Sequence, residues 1–190
     1  MEERQVTVDG STYPLELPFM VIATQNPIEM EGTYPLPEAQ RDRFTARISI
    51  GYPDKESELE MLSTHGSSSP LDSLQPAART TDIRDLIAAV RAVHVAQPIR
   101  QYVVSLVSST RSCPELRPGA SPRAALHLLR ASRAYAALDG RDFVIPDDVQ
   151  TLAGPVLAHR LRPTPEAMVE RELPERVLAR LIERTALPLK

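Results

Sequence analysis

The sequence predicts a small mixed α/β portion followed by an all-α bundle. Three observations lead there. Near the start, strand-like segments flank an Asp-Gly pair and a continuous apolar run follows. At Gly66 and the Ser67-Ser68-Ser69-Pro70 stretch the composition turns to loop formers and the apolar period changes. Beyond that point, prolines and small polar residues repeatedly introduce apolar stripes of helical spacing. The expected division is an α/β portion over residues 1–66, a linker over 67–80 and a helical domain over 81–190.

In chain order, Val6-Thr7-Val8 and Ser11-Thr12-Tyr13 surround Asp9-Gly10. An Asp-Gly pair between such segments predicts a hairpin, because both turn residues must adopt positive φ. Residues 18–23 (Pro-Phe-Met-Val-Ile-Ala) are continuously apolar and predict a short strand buried on both faces. That run ends in Thr24-Gln25-Asn26-Pro27, and polar groups at the end of a buried strand are where open α/β sheets hold ligands. A loop with Gly32, Pro35 and Pro37 leads to a short helix over residues 38–44. Residues 47–52 are expected to return as a strand, and Pro53-Asp54 to start a helix reaching about His65.

The second portion is read as five helices. Ile83, Leu86, Ile87, Val90 and Val93 form a stripe after Asp82, and Pro98 opens a second helix bearing Ile99, Val103, Leu106 and Val107. Ser121-Pro122 pairs a helix-capping residue with a first-turn proline, and that third helix stops at Gly140. Pro146 and Pro174 begin the last two; the final one carries Val177, Leu178, Leu181 and Ile182 on one face.

Composition narrows the function. The 190 residues carry a net charge of −3, without the basic bias of a protein that grips nucleic-acid phosphates. The one cysteine, Cys113, excludes an intrachain disulfide and has no neighbouring ligand that would make it a metal or nucleophile site. The longest apolar run is far below the ~20 residues of a membrane span, and the acidic start is unlike a signal peptide. A cytoplasmic protein is expected.

A complete catalytic site is not legible. The only lysines are Lys55 and Lys190, and neither follows a glycine, so the phosphate loop G-x-x-x-x-G-K-[ST] does not occur. No apolar strand ends in Asp-Glu, the usual magnesium-holding arrangement.

What the sequence does contain is Val21-Ile22-Ala23-Thr24-Gln25-Asn26-Pro27, then Gly32-Thr33-Tyr34-Pro35-Leu36-Pro37-Glu38-Ala39-Gln40 and Asp42-Arg43-Phe44. Further on come Gly119-Ala120-Ser121-Pro122-Arg123-Ala124 and Leu138-Asp139-Gly140-Arg141-Asp142-Phe143-Val144. These blocks, in this order, resemble the MoxR family of AAA+ ATPases from residue 1 to about residue 160. The resemblance implies the C-terminal portion of a P-loop AAA+ core followed by a helical lid, with Met1 internal to a longer protein. It implies ATP with Mg²⁺ as cofactor, a ring of AAA+ subunits (a hexamer), and client or von Willebrand factor A-type partner proteins.

It also implies roles for three residues. Asn26 matches sensor 1, which orients the attacking water or touches the γ-phosphate. Arg43 matches the arginine finger; Arg41 and Arg47 lie close by and fit less well. Arg123 matches sensor 2, reaching the nucleotide from the lid. The Val6 to Leu15 hairpin is expected to move with hydrolysis and engage a partner. The alternative is a non-enzymatic module that keeps the lid and finger surface and binds ring subunits or another protein.

Overall fold

The Asp9-Gly10 turn forms as its residues dictate. The structure, a computed structural model, describes residues 5–25, 36–64 and 74–188. Strands β1 (Gln5–Val8) and β2 (Ser11–Pro14) pair antiparallel, with Val8 opposite Ser11 and Val6 opposite Tyr13. Asp9 and Gly10 take φ of 50° and 80°, the positive values that a two-residue primed turn requires. Both strands are exposed along their length.

The two further strands expected in the first portion do not form. Residues 18–23 and 47–52 have no regular structure, and their apolar side chains face outward: Ile22 is 77% exposed and Ile50 92%. A strand is stabilised by ladder bonds and by layers on its faces. Among the described residues, neither segment has a pairing strand. Two short helices do form, α1 (Glu38–Arg41) and α2 (Lys55–Thr64). The expected boundary at residues 66–70 lies outside the described residues.

The helical part follows the reading closely: α3 (Thr80–Ala92), α4 (Gln97–Ser112), α5 (Pro122–Leu138), α6 (Pro146–Leu157), α7 (Pro165–Val169) and α8 (Pro174–Arg184). Proline stands at the first or second position of α4, α5, α6, α7 and α8, where its missing N–H costs nothing. The short α7 and a 3₁₀ turn at Ala158–Arg160 were not foreseen.

One core joins four of these helices. Leu106 and Val107 of α4, Leu128 of α5, Val149 and Leu157 of α6, and Val177 and Leu178 of α8 are essentially inaccessible. On α5, Ala124, Ser132 and Ala136 are also fully buried, and their small side chains let α6 approach closely. The buried Ser132 hydroxyl is satisfied within its own helix by donating to the Leu128 carbonyl at 2.9 Å. By contrast, the predicted stripe on α3 is only partly covered, with Leu86 and Ile87 exposed.

Polar ties hold the connections. The carboxylate of Asp148, buried in the first turn of α6, accepts two bonds from Arg141 (2.6 and 2.9 Å) and one from the Ile145 amide (2.9 Å). That fixes the Gly140 turn against α6. Before α5, Gly119 lies so close to the end of α4 that a Cβ there would sit 2.5 Å from the Thr110 carbonyl oxygen. The Thr110 hydroxyl accepts the Ala120 amide (2.9 Å), and Arg111 Nε donates to the Ala120 carbonyl (2.8 Å). The loop that introduces α5 is therefore bolted to α4.

Because the obstacle at Gly119 is backbone, Gly119→Ala is expected to destabilise the chain by at least about 1–3 kcal/mol, the usual cost of overpacking. Urea denaturation followed by circular dichroism measures this. An unchanged midpoint would mean that the close approach is absent in solution.

Candidate functional site

Pro37 presets the backbone for α1, whose single turn ends in three tight amide bonds: Asp42 to Glu38 O (3.0 Å), Arg43 to Gln40 O (3.1 Å) and Phe44 to Arg41 O (3.1 Å). This turn separates two adjacent side chains. Asp42 is directed into the helical bundle and is 23% exposed, whereas Arg43 is exposed. Among the described residues, the Arg43 guanidinium has no hydrogen bond or ion pair.

Asp42 is the meeting point of three lid residues. Ser121 Oγ donates to both carboxylate oxygens (3.0 and 3.1 Å), Arg123 Nη1 to Oδ2 (3.2 Å) and Arg160 Nε to Oδ1 (3.1 Å). Ser121 occupies the N-cap position of α5, as its sequence context predicts. However, its side chain caps no helix amide; the hydroxyl is committed to Asp42 instead. An acceptor carboxylate competes well for a hydroxyl proton, since charge-assisted bonds are about twice as strong as neutral ones.

Arg160 is the least exposed charge of the group, with 2% of its side chain accessible. Besides Asp42 Oδ1, it donates to the carbonyls of Asp42 (3.1 Å), Phe44, Val156 and Thr45 (3.4 Å), and to His127 Nδ1 (2.6 Å). The guanidinium has donors only, so His127 must accept at Nδ1 and carry its proton on Nε2. Burial, and then the adjacent Arg160 charge, push the His127 pKa down. The Val156 carbonyl belongs to the last turn of α6, where unpaired carbonyls and the helix dipole favour a cation. The neighbouring Pro155 carbonyl accepts the Arg47 amide at 2.9 Å. Arg162 reaches Glu38 at 2.6 Å and Arg47 reaches Glu175 at 2.8 Å, but these pairs are solvent-exposed and contribute little.

Of the residues singled out by sequence, Arg123 is brought to the Asp42 carboxylate, Arg43 stands exposed next to Asp42 in the chain, and Asn26 lies outside the described residues. Sequence reasoning missed Arg160. Nothing in Ala158-His159-Arg160-Leu161-Arg162 distinguishes it from Arg162 until the fold brings it to Asp42, 118 positions away. Among the described residues, no group of three or more His, Cys, Asp or Glu side chains is placed to hold a metal ion. Nor, among them, is any helix long and apolar enough to cross a membrane.

Comparison with known proteins agrees with this architecture. Residues 1–46 match the ATPase family associated with various cellular activities (AAA), and residues 108–181 match the AAA lid domain. Chaperone MoxR1 of Mycobacterium tuberculosis is 44% identical over 199 residues, spanning 99% of this chain and 52% of that protein. The chain belongs to the MoxR family of AAA+ ATPases. The uncharacterized protein YeaC of Bacillus subtilis is also 44% identical, over 190 residues that cover 100% of this chain and 59% of the relative. A crystal structure of a candidate ATPase from Cytophaga hutchinsonii superposes with a TM-score of 0.89 at 36% identity, covering 100% of this chain and 60% of the other. The chain thus spans between half and three-fifths of the length of these relatives. In this MoxR-type chain, the contacts between Asp42 and the lid residues link the segment matching the AAA core to the segment matching the lid.

The same interface makes a pH dependence. His159 lies between the Pro155 carbonyl (3.2 Å from Nδ1) and the Phe44 carbonyl (3.3 Å from Nε2), with Arg160 and Arg47 nearby. Burial, followed by the Arg160 charge, lowers its pKa from the ordinary 6.5 to about 4. The unfolded chain takes up a proton that the folded chain refuses, so stability falls as pH drops from about 6.5 toward 4 and is unaffected by this group above that range. The loss is on the order of 3 kcal/mol. Urea midpoints between pH 7 and pH 4 should fall more steeply in the native chain than in His159→Gln; parallel curves would exclude His159 as the cause.

Proposed function

We propose that this chain supplies the trigger and lid of an ATP-hydrolysing ring that remodels or matures partner proteins in the manner of a chaperone. Asn26 acts as sensor 1, Arg43 as the arginine finger completing the site of a neighbouring subunit, and Arg123 as sensor 2. ATP bound with Mg²⁺ is the expected nucleotide, a hexamer the expected ring and the cytoplasm the expected compartment. Client or von Willebrand factor A-type proteins are the expected partners, with the β1–β2 hairpin as the element that moves against them. The name of the Mycobacterium tuberculosis relative, a chaperone, supports the remodelling use.

The observation that carries this reading is the opposite disposition of Asp42 and Arg43. A trans-acting finger needs a charged, planar guanidinium that its own subunit does not neutralise. Arg43 is exposed and lacks a partner among the described residues, while the carboxylate beside it is spent on Ser121, Arg123 and Arg160. Arg41 fits the role less well, since its Nε is buried.

In a complete protein carrying this sequence, Arg43→Ala is expected to lower ATP turnover about 10³–10⁵-fold, the contribution typical of such fingers. Nucleotide affinity should stay within a few-fold of the parent. Near-normal turnover would remove Arg43 from the role.

A second reading, a non-enzymatic module that binds ring subunits or another partner, is favoured by one observation: these 190 residues contain no phosphate loop. Titration calorimetry of the chain alone should show no ATP binding at micromolar concentration. Tight binding would mean that the missing loop is dispensable. An upstream reading frame encoding a phosphate loop favours the first reading, and its absence favours the second.

A further inference from the structure

We infer that Arg160 is a positioning residue that sets the direction of Arg43 from the lid, so that one subunit's lid controls the finger it offers to its neighbour. The inference rests on the reading of Arg43 as a finger. It is carried by the bonds of Arg160, which straddle Arg43 in the chain. Its Nη2 donates to the carbonyl of Asp42, immediately before Arg43, and to that of Phe44, immediately after it. Its Nε holds the Asp42 carboxylate at 3.1 Å. Arg160 itself cannot wander: its side chain is 2% exposed, it closes the 3₁₀ turn that follows α6, and it is fastened by the Val156 carbonyl and by His127 on α5. The turn bearing Arg43 is thereby pinned on both sides to a rigid point of the lid.

Arg123 shares the same carboxylate from the far side, at 3.2 Å. A rotation of the lid that moves Arg123 relative to Asp42 must also move Arg160, because both belong to one helical core. The planar fork of an arginine can span several carbonyls at fixed angles, which a point-charge ammonium cannot. Small misplacements of a reacting group, about 1 Å, can lower rates about 10²-fold.

The test uses rings of the complete protein mixed from two kinds of subunit. One carries Arg160→Gln, the other has an intact Arg43 but lacks the phosphate-loop lysine of P-loop ATPases. Rings of Arg160→Gln alone should lose about 10²-fold in kcat with the KM for ATP unchanged. Mixing should restore turnover, since the Arg160→Gln sites then receive a sound finger from the other subunit. The same mixture with Arg43→Ala is the control. If Arg43→Ala is rescued and Arg160→Gln is not, Arg160 serves its own subunit's site or merely the fold, and the inference is overturned while the finger stands. If Arg43→Ala is not rescued, the finger reading falls and takes this inference with it. Where Arg160→Gln does not assemble, Arg160→Lys keeps the cation beside Asp42 but not the fork, and the same loss and rescue are expected.

Discussion

The arrangement depends on how one buried guanidinium is compensated. An arginine withdrawn from water at the end of α6 would be strongly unfavourable alone, and burial does lower its pKa against the opposing pull of Asp42. It is tolerated because each of its nitrogens finds acceptors: one carboxylate, four backbone carbonyls and a histidine nitrogen. Three of those carbonyls, at Asp42, Phe44 and Thr45, belong to the segment after α1. The need to satisfy one charge therefore ties that segment to the lid. Removing one partner of such a pair costs about 3–5 kcal/mol elsewhere, which sets the scale of the linkage.

The lid can bear this load because it is rigid for independent reasons. Leu106, Leu128, Leu157 and Leu178 come from four helices and meet in one core. The loops that present functional residues are fixed to that core by short bonds, Gly119 against α4 and Arg141 to Asp148. Ser121 and Arg123 thus start from a defined position at the head of α5. The segments of residues 18–23 and 47–52 contrast with this. Their apolar side chains are largely exposed, and among the described residues no strand pairs with them.

The proposed function follows from the way adjacent residues divide between these surroundings. Asp42 is absorbed by the lid and Arg43 is turned outward, so the same tight turn serves structure on one side and a proposed reaction on the other. A carboxylate read jointly by Arg123 and Arg160 is a two-sided contact, and a lid that shifts relative to it acts on both arginines. Hinge-type switching of this kind needs packed elements that move as units, which the helical core provides.

Local elements were legible in the residues. The Asp9-Gly10 turn, the proline-led helices and the stop at Gly140 all depend on neighbours a few positions apart, and the MoxR-type core and lid were legible as a resemblance. The strands at residues 18–23 and 47–52 were misread because an apolar run states only that burial is favourable, while a strand also needs a partner. Ser121 was correctly placed at a helix start, yet its hydroxyl went to Asp42, 79 positions away. Arg160 carried no local mark at all. The sequence by itself determined the hairpin and the long helices, because propensity, period and spacing are short-range, while its resemblance to the MoxR family supplied the candidates Arg43 and Arg123. Only the tertiary structure decided which arginine is buried, which carboxylate it meets and which way Arg43 is turned, because the compensation of a charge depends on groups that folding alone brings within 3 Å or so of it.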